Sequence, residues 1–194
     1  FNGNSFALEA LELGANYAIV DEPVGKDDRL IFVDNVLEAL QDCAKAYRRY
    51  LDIPIIGLTG SNGKTTNKEL FHAVLNTTFK TYATAGNFNN HIGVPLSLLR
   101  IPRDSELAVI EMGANHQREI GQLAAICEPT IGYITNYGKA HLEGFGGVEG
   151  IIKGKSELYD YLRSSDGTAM VNLNDSIQIE KSTGINQFGY GKGE

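Results

Sequence analysis

The sequence predicts an α/β protein in which a mostly parallel sheet is flanked by helices and preceded by part of a small α/β domain. Three observations support this fold class. Short apolar runs alternate with helix-like segments over residues 54–135. Polar clusters directly follow several of those runs, as expected where parallel strands end at one edge. A glycine-rich turn joins one strand to the next helix at residues 57–66.

The first 50 residues form the small leading piece. Gly14 ends the first predicted helix, and Asp34 or Asn35 caps the second. Because that second helix leads directly into the strand before the glycine-rich turn, we place a domain boundary near residue 51, giving domains 1–50 and 51–194. The elements predicted in this piece are helices over residues 5–13 and 35–50, and strands over residues 17–20 and 30–33.

The second domain repeats a strand–helix order, which predicts crossover connections and a parallel sheet. The strands are predicted at residues 55–59, 81–83, 107–112 and 131–135. The helices are predicted from residue 63, over residues 92–99, from residue 116 and over residues 148–162.

The glycine-rich turn is typical of a loop that binds the phosphates of a nucleoside triphosphate. Its glycines allow backbone amides to point into one concavity, the helix start adds partial positive charge, and Lys64 adds a full charge. Leu58 stands where the common pattern has its first glycine, so the loop is a variant. The alternative is a strand-to-helix turn without a ligand. The predicted ATP-binding residues are Gly60, Ser61, Asn62, Gly63, Lys64, Thr65 and Thr66.

Glu111 ends an apolar run and should point to the same sheet edge as the glycine-rich turn. A carboxylate there can bind Mg²⁺ together with the Thr65 hydroxyl. A solvated or capping acid is the alternative, and Asn115 can likewise cap the following helix.

Three of the four histidines have distinct interpretations. His72 falls inside a predicted helix and is interpreted as structural. His116 fits either a capping contact or a ligand contact. His141 follows a predicted strand, where it could bind a metal, orient a phosphate or move a proton, and it is the preferred candidate.

Lys155 lies within the apolar stripe of the predicted helix 148–162. A lysine in such a stripe can extend its ammonium to water. Alternatively, it is desolvated beside a metal site, with its pKa lowered enough to populate the neutral amine. A neutral amine can take up CO₂ and form a carbamate, an anion suited to binding a second Mg²⁺.

Composition limits the classes of partner. The 194 residues are 42% hydrophobic and carry a net charge of −7, which argues against a nucleic-acid or anionic-membrane surface. The two cysteines show no paired spacing, and no apolar run reaches membrane-spanning length. These features predict a cytoplasmic protein without membrane insertion.

Four segments resemble the Mur ligase family in that family's order. They are residues 59–66 (TGSNGKTT), 86–95 (GNFNNHIGVP), 111–116 (EMGANH) and 140–146 (AHLEGFG). The last three resemble the branch that joins D-alanyl-D-alanine to UDP-N-acetylmuramoyl-tripeptide in peptidoglycan precursor synthesis. The opening FNGNSF resembles a segment inside that family's first domain. The start of the UDP-binding domain, the end of the ATP-binding domain and the C-terminal domain are therefore expected to lie outside this sequence.

The resemblance implies a role for each matching position. Lys64, His141 and Lys155 would be catalytic, with ATP and Mg²⁺ as cofactors. Asn89 and Asn90 would bind the muramoyl-peptide substrate. The metal-binding residues would be Thr65, Glu111, His141 and carbamylated Lys155. Three positions depart from the branch's pattern: His91 where an acid is frequent, Arg118 where glycine is common, and Lys139 where the residue varies.

The implied reaction is amide-bond formation through an acyl phosphate, and these 194 residues alone are expected not to ligate. Two alternatives remain open. One is a sibling ligase such as folylpolyglutamate synthase, and the other is a non-catalytic nucleotide-binding regulatory protein. Residues 172–175 could form part of a nucleotide pocket or simply a turn that ends a strand.

Overall fold

A computed structural model describes residues 2–139 and 142–191 of the chain. Contacts divide the chain into two compact units, Phe1–Asp42 and Cys43–Glu194. The division falls inside one helix, Val36–Leu51, and lies before residue 51, so the boundary near residue 51 stays a prediction.

The first unit pairs two short parallel strands beside a short helix. Its apolar core is small and contains Ala7, Leu11, Val20 and Leu30. The Asp21 carboxylate accepts a hydrogen bond from the Val36 amide at the start of the following helix. The elements are a 3-10 helix (Gly3–Phe6), α1 (Ala7–Glu12), β1 (Ala18–Val20), β2 (Leu30–Phe32) and the start of α2 (Val36–Leu51).

The second unit is a six-stranded sheet with helices on both faces. Its strands are β3 (Ile55–Thr59), β4 (Thr81–Ala83), β5 (Leu107–Glu111), β6 (Ile131–Ile134), β7 (Thr168–Asn172) and β8 (Asn186–Tyr190). Its helices, after the end of α2, are α3 (Lys64–Leu75), α4 (Gly93–Leu99), α5 (Glu119–Cys127), α6 (Leu142–Phe145), α7 (Val148–Ser164) and α8 (Ser176–Lys181).

All six strands run parallel in the order β4-β5-β3-β6-β7-β8. The chain moves outward from β3 to β4 and returns through β5, then continues on the other side of β3 with β6. The carboxyl end of β3 is therefore a topological switch point, where ligands bind in sheets of this kind. Leu58 pairs with both Glu111 and Tyr133, so the ends of β3, β5 and β6 lie level.

Side chains of β3 alternate between two apolar cores. Ile55 joins the larger core with residues of α4, α5 and α7, while Ile56 and Leu58 join a smaller core beside α3. All five β3 residues are buried, which is expected for a central parallel strand covered on both faces.

The predicted fold class is confirmed, and each strand predicted in the second domain is present. Elements α6, β7, α8 and β8 are not predicted from the sequence. The burial pattern of β8 explains one omission, because four of its five residues are exposed and lack an apolar alternation. Helix α5 begins at Glu119 rather than His116 because Arg118 has a left-handed backbone, φ +71°. Within the described residues, none of the helices combines the length and apolarity required to cross a bilayer.

Substituting Leu158 should measure how strongly α7 stabilises the larger core. Leu158 is fully buried in that core, and Leu158→Ala is expected to lower the free energy of unfolding by about 2–5 kcal/mol. Leu70→Ala is the control, since Leu70 is 59% exposed on α3, and its cost should stay within about 0.5 kcal/mol. Urea unfolding measures both. Equal losses would contradict the assignment of the core.

Candidate functional site

The loop between β3 and α3 has a backbone that only its glycines allow. Gly60 has φ +142°, and a Cβ there would lie 1.9 Å from Thr135 Oγ1. Thr135 Oγ1 and Asn136 Nδ2 both donate to the Asn62 carbonyl, at 2.6 and 3.1 Å. The Ser61 amide donates to the Asn136 carbonyl. The end of β6 therefore holds the loop in position.

The first turn of α3 presents free amides to this loop. Gly63 precedes the helix with φ +75° and supplies no side-chain cap, so the first helical amides keep their donors for a ligand. Lys64 Nζ donates to the Gly60 carbonyl at 2.9 Å. Burial lowers the pKa of Lys64, and the Glu111 carboxylate opposes that shift. The arrangement is a partly desolvated anion site.

Glu111 places a buried carboxylate beside the loop, at the end of β5. The side chain is 1% exposed. Its Oε2 accepts from Thr65 Oγ1 at 3.1 Å, and its Oε1 accepts from Asn89 Nδ2 at 2.8 Å. The amide of Glu111 donates to Thr84 Oγ1 at 3.0 Å. The carboxylate therefore binds Thr65 and Asn89, and the backbone of the same residue binds Thr84.

Asn89 and Asn90 follow β4 and have different partners. Besides its bond to Glu111, Asn89 accepts a 2.7 Å bond from the Gly113 amide through its backbone carbonyl. The Asn90 Oδ1 accepts from the amides of Ile92 and Gly93 at the start of α4. Asn90 thus caps α4, and its amide nitrogen is the group left for a ligand.

Lys155 is 2% exposed, so its ammonium does not extend to water. Nζ donates to the Ala114 carbonyl at 3.3 Å and lies 4.9 Å from the centre of the Phe145 ring. Gly154 allows this packing, because a Cβ there would lie 2.5 Å from the ring. Burial, with the nearby Lys64 charge, lowers the pKa of Lys155 to about 8, against the opposing charges of Glu119 and Glu157.

A cavity of about 380 Å³ lies beside Lys64 and beside the residue whose carbonyl Lys155 binds. Lys64 lines this cavity, and Ala114, the hydrogen-bond partner of Lys155, lines it as well. An adjoining pocket contains the glycine-rich loop and Glu111. His141, the predicted catalytic and metal-binding histidine, lies outside the described residues. The larger set lining the first cavity is Lys64, Asn89, Asn90, His91, Gly113, Ala114, Asn115, Glu119, Gln122 and Leu123.

The remaining candidates have local partners. His72 lies in α3 and contacts the Thr81 carbonyl at 3.0 Å. His116 Nδ1 lies 3.2 Å from Glu119, beside the cavity. Asn115 donates its amide to Glu119 and lines the cavity, while its side chain does not cap α5. Asp175 caps α8 through the Ile177 and Gln178 amides, so residues 172–175 form a strand-ending turn.

Sequence reasoning missed two contacts that shape the site. Thr84 bonds the Glu111 amide, and Lys68, one helical turn beyond Lys64, bonds the Thr84 carbonyl. The signal for Lys68 was its spacing of four residues from Lys64, which places both on one side of α3.

The side chains at this edge fit a triphosphate and Mg²⁺. The hydroxyls of Thr59 and Ser61 are buried without a hydrogen-bond partner among the described residues, which leaves donors at the loop. Thr65 and Glu111 offer adjacent oxygen ligands, the type that Mg²⁺ prefers. Within the described part of the chain, no cluster of three His, Cys, Asp or Glu side chains forms a metal site.

The fold and site together define a P-loop α/β domain, a class that binds phosphate groups at the switch point of a parallel sheet. The family model described as Mur ligase middle domain matches residues 58–194. The chain belongs to the Mur ligase family.

Relatives of one branch match nearly the whole chain. A Bacillus subtilis UDP-N-acetylmuramoyl-tripeptide--D-alanyl-D-alanine ligase is 40% identical over 196 residues, covering 100% of this chain and 42% of that protein. The Acinetobacter baumannii MurF structure has a TM-score of 0.89 at 34% identity, covering 98% of this chain and 43% of that one. The Thermotoga maritima MurF structure, a complex with ADP, has a TM-score of 0.88 at 31% identity, covering 97% and 44%.

These coverages show that the chain spans less than half the length of the relatives it matches. Their names favour the D-alanyl-D-alanine branch, and they do not favour the folylpolyglutamate alternative.

The buried Lys155 should make stability depend on pH. Because the pKa in the folded protein is about 8 and the ordinary value is 10.5, the unfolded chain binds more protons between those values. Stability should therefore rise with pH across that window. Lys155→Met should remove this rise. Urea unfolding of both proteins at pH 7, 8, 9 and 10, in CO₂-free buffer, measures the difference.

Lys153→Met is the matched control, since Lys153 lies on the exposed side of the same helix. The difference in free energy of unfolding between Lys153→Met and the wild type should not change with pH. If Lys155→Met and Lys153→Met gave the same pH dependence, the desolvation of Lys155 would be wrong.

Proposed function

We propose that this chain is the phosphate-binding part of an ATP-dependent ligase that joins D-alanyl-D-alanine to UDP-N-acetylmuramoyl-tripeptide through an acyl phosphate. The observation that carries the proposal is the meeting of Lys64, Thr65 and Glu111 at one sheet edge. Lys155 lies close enough for its pKa to respond to the charge of Lys64. The relatives named for this activity support it.

A peptide carboxylate is a poor electrophile, so the reaction begins with its phosphorylation. Lys64 and the amides at the start of α3 would bind the β- and γ-phosphate oxygens and stabilise charge that spreads over them during transfer. Mg²⁺, when bound by Thr65 and Glu111, neutralises phosphate charge. Transfer of the γ-phosphoryl group to the carboxylate would release ADP. The neutral amine of D-alanyl-D-alanine would then attack the acyl phosphate carbon, phosphate would leave, and the nitrogen would lose one proton to solvent as the amide forms.

Lys155 would act in this site as a carbamate. Its lowered pKa makes the neutral amine accessible near pH 8. The amine nitrogen attacks CO₂, and one proton is lost to solvent as the N–C bond forms. The product is an anion placed near Lys64, where it relieves the repulsion between two ammonium groups and offers oxygen ligands to a second Mg²⁺.

Asn89 and Asn90 would contact the muramoyl-peptide, with His141 serving the second metal. Both asparagines line the cavity beyond Lys64. Residues 1–50 would belong to the UDP-substrate-binding domain and residues 51–194 to the ATP-binding domain. We place the reaction in the cytoplasm, where the free Cys43 and Cys127 would stay reduced.

The test is ligation by the full-length protein. Phosphate release is measured with MgATP, UDP-N-acetylmuramoyl-tripeptide and D-alanyl-D-alanine, and in parallel with folate and glutamate. We expect release with the first set only. Lys64→Ala should reduce turnover by about 10²–10³-fold or more, because it removes the charge aimed at the transferred phosphoryl group.

Lys80→Ala is the control for Lys64→Ala, since Lys80 is a surface residue paired with Asp104, and turnover should stay at the wild-type level. Release with folate and glutamate but not with the muramoyl substrate would refute the proposal. Full activity of Lys64→Ala would remove the phosphate-loop role.

Chemical rescue tests the carbamate. Lys155→Ala should abolish most turnover because it removes the anion, and added formate or acetate should restore part of it by occupying the vacated space. Lys153→Ala should retain turnover and show no response to formate. Undiminished activity of Lys155→Ala would show that the carbamate has no role.

A further inference from the structure

Lys68 is a buried lysine for which the proposed reaction provides no role. It is 1% exposed and is the one buried residue of α3. Burying an ammonium is costly unless its donors are satisfied. Nζ donates to the Thr84 carbonyl at 2.6 Å and lies 2.8 Å from Glu69 Oε1. Lys68 hydrogen-bonding also lowers the pKa of Glu69.

The Thr84 carbonyl is a backbone group directly after β4, at the start of the segment that carries Asn89. Thr84 also extends the pairing of β4 with β5, because its amide donates to the Val109 carbonyl at 3.0 Å. Its Oγ1 accepts from the Glu111 amide. Lys68 therefore contacts the residue that fixes the backbone of Glu111.

The Glu111 side chain also contacts α3 directly. Glu111 Oε2 accepts from Thr65, which precedes Lys68 by three residues on that helix. Helix α3 thus reaches Glu111 by two routes, directly through Thr65 and indirectly through Lys68 and Thr84. The route through Thr65 holds the Glu111 carboxylate, and the route through Lys68 and Thr84 holds the Glu111 backbone. Together they fix the position of Glu111 relative to α3 more firmly than either would alone.

We propose that Lys68 is a positioning residue that holds the metal-binding carboxylate of Glu111 and the Asn89 segment in register with the phosphate loop. The inference rests on the proposed function in that it takes Thr65 and Glu111 as Mg²⁺ ligands. Lys68 touches neither the phosphates nor the metal in this assignment. It acts through Thr84, so its loss should weaken Mg²⁺ binding and leave the phosphate loop intact.

The experiment measures ADP binding by calorimetry with and without Mg²⁺ in the full-length protein. Lys68→Met keeps the length of the side chain and removes its donors. We expect a roughly 10-fold weaker Mg²⁺-dependent enhancement of ADP binding, the size found when residues behind a metal ligand are changed. ADP binding without Mg²⁺ should stay within about twofold, since Lys64 and the loop amides are untouched.

Thr84→Val provides a second variant, needed if Lys68→Met does not fold. It removes the hydroxyl that accepts from the Glu111 amide and keeps the backbone carbonyl bound by Lys68. It should weaken the Mg²⁺-dependent enhancement of ADP binding to a similar extent. The loss of this enhancement in the Lys68→Met/Thr84→Val double variant should be smaller than the sum of the two single losses, because both residues act along one path. Glu69→Gln is the control: it removes the charge of the 63% exposed partner of Lys68 but keeps an oxygen acceptor, so ADP binding with and without Mg²⁺ should be unchanged.

Three results would overturn the inference. The first is an unchanged Mg²⁺-dependent enhancement of ADP binding in folded Lys68→Met, and the second is the same result in Thr84→Val. The third is an equal loss of ADP binding with and without Mg²⁺ in Lys68→Met. The assay uses no muramoyl substrate, so wild-type protein that binds MgADP but does not ligate would refute the proposed function alone. If the wild-type protein ligates and Lys68→Met does not change Mg²⁺-dependent ADP binding, this inference alone would be refuted.

Discussion

The buried carboxylate of Glu111 joins three parts of the chain that lie far apart in sequence. The carboxylate accepts hydrogen bonds from Thr65 at the start of α3 and from Asn89 after β4. The backbone amide of Glu111 donates to the Thr84 hydroxyl. A buried carboxylate requires such partners, because an unpaired polar group in a low dielectric is expensive. The position of the phosphate loop relative to the cavity therefore depends on how this one acid is satisfied.

Lys64 lies near this acid, and Lys155 lies near Lys64, in a chain whose net charge is negative. Although the whole sequence carries −7, Lys64 and Lys155 are close enough for the Lys64 charge to lower the Lys155 pKa. Overall charge repels polyanions, and the local field at the sheet edge attracts them. Because burial removes water from both ammonium groups, an anion between them gains more than it would at the surface.

The sequence was sufficient to predict the features set by local pattern. Apolar runs bounded by glycine and polar clusters gave β3 and β5, and the spacing of Gly63 and Lys64 gave the loop. Because strands of a parallel sheet end at one edge, the convergence of the loop with Glu111 also followed from the order of elements. The burial of Lys155 was one of two outcomes that the apolar stripe allowed.

Other features required the tertiary structure. The choice between burial and solvent exposure for Lys155 depends on Phe145, which packs against it from a helix too short to show a period. Lys68 was not found because its partner is a backbone carbonyl, which leaves no trace in residue type. Strand β8 lacked a signal because its side chains are mostly exposed, and backbone pairing with β7 defines it.

The loop before α5 shows how two acids stabilise a strained backbone near the Ala114 carbonyl, which accepts a hydrogen bond from Lys155. Arg118 has φ +71°, which costs a residue other than glycine about 1–3 kcal/mol. Glu157 accepts from the amides of Arg118 and Gly121, and Glu119 accepts from the amide of Asn115. These charge-assisted bonds offset the strain. With both sides of the turn tied to carboxylates, the preceding Ala114 carbonyl is held where the Lys155 ammonium donates to it.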